Sequence, residues 1–187
     1  MNTLRIAYFF RPLYLAFSIS VVFFISCTEA PLKTGSDRNV QTLEDSVIIL
    51  NKHIVQSENQ EIDDFIHRYQ WEMIQTQTGL RYMIYKAGNG PNAKSGDIVS
   101  IKYKVNLLTG DLVYMSDSGA MLTFEVGKRN VVSGLEEGIM FMKKGSRAKL
   151  IVPSHLAFGL LGDMEKIPAR AALVCDVELC AINPVKK

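Results

Sequence analysis

The sequence is poor in the residues that build metal sites, disulfide frameworks and charged binding surfaces. It has 187 residues but only three cysteines and three histidines. Cys175 and Cys180 stand five apart in an extended run, so a strand turns them to opposite faces, where they cannot bridge. His53, His67 and His155 are scattered, with no ligand spacing among them, so no metal is expected. Net charge is scarce too. The formal value is +2, and residues 1–26 hold Arg5 and Arg11 and no acid, so residues 27–187 balance 19 basic against 19 acidic groups. A neutral chain lacks the field that steers proteins onto nucleic acid, and no nucleic-acid partner is expected. There is no Gly-x-Ser-x-Gly, no glycine loop for phosphates and no His-Glu-x-x-His. Gly88-Asn89-Gly90 reads as a turn. No cofactor is implied.

Long apolar runs are also missing. The run from Leu13 to Ile25 is short for a membrane span and is broken by Ser18 and Ser20. Preceded by two arginines and ending in Phe24-Ile25-Ser26-Cys27, it resembles a bacterial lipoprotein signal. That resemblance implies cleavage after residue 26, lipidation of Cys27 and a membrane-bound protein in the cell envelope. An ordinary secretory signal is the alternative. Thr28 stands where some inner-membrane lipoproteins carry aspartate, which points to the outer membrane, facing the periplasm.

What the sequence does have is hydrophobic order, 48% of it apolar. Residues 27–41 show no apolar period and contain Pro31, Gly35 and Ser36, which reads as a flexible tether. A helical extension is expected over 42–71. Val47, Leu50 and Ile54 share one face, and Ile62, Phe65, Ile66 and Tyr69 repeat the spacing, with Ser57-Glu58-Asn59-Gln60 as a break between two helices. The stripe is expected to bury on the following domain. Self-association or docking of a partner through residues 42–70 is the alternative.

From residue 72 to 187 the period falls to two. Leu80, Tyr82 and Ile84 alternate with Arg81 and Met83, and Val99 to Leu107 alternates with Ser100, Lys102, Lys104 and Asn106. Further strands are read at Leu122–Val126, Arg147–Val152 and Ala171–Cys180. Ser133 and Glu136 make a capping-box pattern at the start of one short helix, with Lys143, Lys144 and Gly145 at its end. The expected fold is α+β, an antiparallel half-barrel sheet of five to six strands wrapped on that helix.

Several segments then follow in a particular order: Phe124-Glu125-Val126-Gly127, Val131-Val132-Ser133-Gly134-Leu135-Glu136-Glu137-Gly138, Met142-Lys143-Lys144-Gly145, Leu156-Ala157-Phe158-Gly159, Ile167-Pro168 and Leu173 to Leu179. In that order and spacing, over about residues 78–182, the chain resembles the FKBP-type peptidyl-prolyl cis–trans isomerases. With the signal and helical extension it resembles, more narrowly, the gliding-motility-associated lipoprotein isomerases of Bacteroidetes.

The resemblance implies an isomerase that helps envelope proteins fold by binding proline-containing segments in an apolar bowl. It places Tyr103, Tyr114 and Val132 at the catalytic positions, with the backbone N–H of Val132 holding a substrate carbonyl. Val113, Leu122, Val131, Leu135, Phe158, Ile167 and Cys175 line the bowl, with Leu135 as the floor where many members carry tryptophan. Several positions depart from the pattern. Val113 and Cys175 replace phenylalanines, Phe158 a tyrosine, and Tyr114 the pocket aspartate that would partner Tyr103. A non-catalytic chaperone or assembly factor is the rival reading.

Overall fold

The computed structural model describes residues 36–116 and 120–184, with side chains from residue 45 onward. The chain divides into two compact units, residues 1–48 and 49–187. The signal segment, Cys27 and most of the tether lie outside the described residues. Among those described, no helix is long and apolar enough to cross a membrane.

The first element is the helix α1, Ser36–Tyr69. It starts inside the stretch read as tether and runs through the expected break at 57–60. The physical reason lies in what that polar patch does. Glu58 accepts from the backbone N–H and the hydroxyl of Ser154, and Asn59 accepts from the Arg81 guanidinium. The patch is polar because it docks on the domain. The apolar stripe divides accordingly. Ile62 and Phe65 are buried with Ile151, Ala172 and Val174, flanked by Trp71 and Met73. Ile66 packs at the edge of that cluster and Ile54 is half-buried, whereas Val47 and Ile48 in the first unit, and Ile49, Leu50, Val55 and Tyr69 in the second, are exposed.

The strands that follow are β1 (Ile74–Gln75), β2 (Arg81–Lys86), β3 (Asn89–Asn92), β4 (Ile98–Leu107), β5 (Leu112–Met115) and β6 (Leu122–Glu125). After α2 (Ser133–Met140) come β7 (Lys143–Lys144), β8 (Arg147–Val152) and β9 (Leu173–Asn183). Seven strands form one antiparallel sheet in the order β1-β2-β8-β9-β4-β5, with β6 also on β4, while β3 pairs with β7. Inward residues of β8 and β9, namely Ala148, Leu150, Val152, Leu173, Cys175, Val177 and Leu179, meet Leu135, Ile139 and Met142 in the main core. Outward Ile151 and Val174 meet α1, so both faces of these strands are covered and their sequences read as nearly continuous apolar runs.

Arg81 shows the same double cover. Its alternation with Leu80 and Tyr82 reads as solvent-facing, yet it is 3% exposed. Its guanidinium donates to Asn59, to the Gly79 carbonyl and to Asp63 at 3.1 Å, all on or beside the packed end of α1.

The helix α2 is positioned by its glycines. A Cβ on Gly134 would lie 2.4 Å from Val152 Cγ1, and one on Gly138 2.5 Å from Leu150 Cδ1, so the helix backbone sits directly on β8. The expected capping box does not form. Val132, with ψ 141°, is the cap residue, and Ser133 is already inside the helix. The Ser133 hydroxyl instead donates to the Leu156 carbonyl at 3.2 Å, and buried Glu136 accepts from the backbone N–H of Arg129 at 2.8 Å. Lys143 and Lys144 form β7 rather than the helix end. Gly145, at φ 82°, makes the turn into β8.

Candidate functional site

A cavity of about 200 Å³ opens between the inner sheet face and the start of α2. The β-strand period decides which side chains reach it. Tyr103 and Val105, two apart on β4, share one face, and Val105 pairs with Cys175 of β9 and with Tyr114 of β5. Leu122 of β6 lies opposite Ile101 of β4. Val131 and Val132 come from the segment before α2, Leu135 from its first turn, and Phe158 and Ile167 from the loop between β8 and β9.

Of the ten domain residues named from the sequence, nine line this cavity: Tyr103, Tyr114, Leu122, Val131, Val132, Leu135, Phe158, Ile167 and Cys175. Val113 does not. It is 6% exposed in the main core beside the bowl, at the point where β5 slips its register against β4, between the pairs Val105–Tyr114 and Asn106–Leu112. Two lining residues, Val105 and Leu173, were not named. Each stands two positions from a named neighbour, Tyr103 and Cys175, and extending the alternation by one step would have found both.

The walls are aliphatic and aromatic, so polar groups matter by position. The backbone N–H of Val132 donates to no other described residue. Nor does the Tyr103 hydroxyl; its backbone N–H donates to Ser116 Oγ at 3.2 Å. Tyr114 differs. Its hydroxyl donates to Asp163 Oδ2 and lies 3.4 Å from Glu165 Oε2, and Lys166 Nζ stands 5.1 Å from its ring centroid. The hydrogen bond to Asp163, with burial next, pushes the phenol up from its ordinary 10.0 to about 12.

Burial pushes the Asp163 carboxyl up, but hydrogen bonds from Tyr114 and from the N–H groups of Ile167, Glu165 and Lys166 outweigh it, leaving the group near 2. Burial, and then the neighbouring Asp176 carboxylate, push the Cys175 thiol up to about 12, so it serves as a small apolar wall. A carboxylate absent at position 114 is thus present at position 163, on another segment. Nothing local in the sequence marks it.

Residues 90–180 match the family model described as FKBP-type peptidyl-prolyl cis-trans isomerase. FK506-binding protein 2 of Dictyostelium discoideum is 41% identical over 91 residues, 48% of this chain and 68% of that protein. The isomerase FkpA of Aeromonas hydrophila is 42% identical over 109 residues, 58% of this chain but 40% of its own length. The chain therefore spans well under half of this longer relative. The crystal structure of FkpA from Escherichia coli superposes with a TM-score of 0.62 at 26% identity, covering 94% of this chain and 83% of that one. Fold, bowl and sequence agree: the chain belongs to the FKBP-type peptidyl-prolyl cis–trans isomerase family.

Proposed function

We propose that the protein catalyses cis–trans isomerisation of X–Pro bonds and so assists the folding of envelope proteins from a lipid anchor. The carrying observation is the convergence of nine site residues on one apolar bowl, among them Val132, whose backbone N–H donates to no other described residue. Rotation of the X–Pro bond crosses a barrier near ~18–20 kcal/mol because it breaks amide resonance. The planar amide is more polar than the twisted one, so a dry bowl disfavours the ground state more than the transition state. Leu135 would support the proline ring, and the Val132 N–H would hold a carbonyl of the substrate. No nucleophile or acid is required.

The test is proline-limited refolding of a model protein with the full chain in detergent. Acceleration at substoichiometric amounts is expected. An effect confined to stoichiometric amounts would replace catalysis with holding. One observation favours that rival: Leu160, Leu161 and Met164, in the loop that supplies Phe158 to the bowl, are 68%, 71% and 81% exposed, a surface suited to gripping extended clients.

Lipidation of Cys27 would hold the protein at the outer membrane, facing the periplasm, in keeping with the resemblance to gliding-motility-associated isomerases. The exposed apolar residues Val47 to Leu50 support self-association or partner docking through residues 42–70. Cys27→Ser should release the protein from membranes, and an intact mass without acyl chains in membrane-extracted wild type would remove the anchor from the proposal.

A further inference from the structure

Asp163 spends its hydrogen-bonding capacity on two segments at once. Oδ1 accepts from the backbone N–H groups of Glu165 and Lys166, each at 2.9 Å, and of Ile167 at 2.7 Å. Three donors on one oxygen curl residues 163–167 into a tight turn that delivers Ile167, 3% exposed, to the bowl. Oδ2 takes the hydroxyl of Tyr114, 49 residues away on β5. Lys166 strengthens the same join, with its Nζ over the Tyr114 ring and 3.4 Å from the Val113 carbonyl. Tyr114 and Ile167 both line the bowl, and the Asp163 carboxylate bonds to both segments that carry them, with Glu165 Oε2 farther from the same hydroxyl at 3.4 Å.

We propose that Asp163 is a positioning residue for the isomerase reaction, holding Tyr114 and Ile167 at a fixed separation and so setting the width of the bowl. The inference rests on the bowl being the substrate site. It assigns Tyr114 a role in shape: the proton of its hydroxyl is committed to Asp163 and is not offered to a substrate carbonyl or to Tyr103. Width matters because a site loosened by about 1 Å loses much of the benefit of orientation. Asp163 itself touches no reacting atom.

The test uses Asp163→Asn, Tyr114→Phe and the double variant in the full chain. Asparagine keeps Oδ1 for the three N–H groups and changes only the atom facing Tyr114. Each single substitution should lower kcat/KM for an X–Pro peptide about two- to tenfold, the worth of one hydrogen bond. The double variant should lose no more than the larger single loss. The Tyr114 ring resonance, assigned by its absence in Tyr114→Phe, should titrate near 12 in wild type and move toward 10 in Asp163→Asn. Additive losses, or an unmoved titration, would overturn the proposal.

If Asp163→Asn does not fold, Tyr114→Phe alone decides through the Ile167 methyl resonance, which should shift; a fixed resonance counts against the join. If wild type does not catalyse isomerisation, the proposed activity fails separately. Peptide affinity and the Tyr114 titration then still judge the pair.

Discussion

Leu135 shows how much a single residue can decide. It is 8% exposed at the first turn of α2 and lines a bowl with apolar walls. Leu135→Asp would place a charge where no partner waits, so peptide binding should be lost, with a melting temperature measured alongside to separate loss of site from loss of fold. Unchanged affinity in a folded variant would move the bowl elsewhere. Arg81 gives a second prediction. Asp63→Ala would leave a guanidinium buried beside Asn59 and the Gly79 carbonyl without its carboxylate, and should destabilise by about 1–3 kcal/mol. Arg81→Met removes the charge together with its need for a partner and should cost less. Chemical denaturation of both variants checks the order, and a reversed order would sink the argument. These residues were unevenly legible. Leu135 sits in an ordered motif beside a helix start, whereas the burial of Arg81 depends on a helix some 20 residues earlier and leaves no local mark. The register at Val113 and Tyr114 was the hardest to read, because β5 slips against β4 there and strict alternation no longer tells wall from core.

Among the elements, α2 and β8 make a close approach with a testable consequence. Alanine is ordinarily better than glycine inside a helix by about 1 kcal/mol. At Gly134 and Gly138 that gain meets Cβ contacts of 2.4 and 2.5 Å, so overpacking, typically about 1–3 kcal/mol, should win. Gly134→Ala should be the worse of the two. It meets the β-branched Val152, whose rotamer is stiff, while Gly138→Ala meets the movable end of Leu150. Thermal unfolding of both variants decides, and a stabilised Gly134→Ala would refute the close packing. The element pattern was legible where period and burial coincide, as in β4 and β9. It misled where polarity served docking. Ser57 to Gln60 reads as a break and is a contact, and Ser133 with Glu136 reads as a cap while both side chains bond elsewhere.

For the molecule as a whole, the order of motifs carried the fold and most of the bowl. The join at Asp163 was closed to sequence reading, because only the folded sheet brings residues 114 and 163 together. Its response to pH can be worked out. Tyr114 and Tyr85, the latter donating to Asp176 and raised by burial first, have folded values near 12 against an ordinary 10.0. Raised values stabilise fully below about pH 10 and lose that contribution as pH climbs through 12. Asp163 is lowered from 3.8 to about 2, so its contribution is present above about pH 4 and lost as pH falls through 2. Melting temperature attributable to these groups should be level between about pH 4 and 10 and fall on either side. A drop near neutrality that Tyr114→Phe abolishes would contradict this. The thiol of Cys175 keeps its proton over the same span. Wall and frame of the bowl thus keep one charge state across that interval, so in a rate profile of the proposed isomerisation these groups would put no step between those limits.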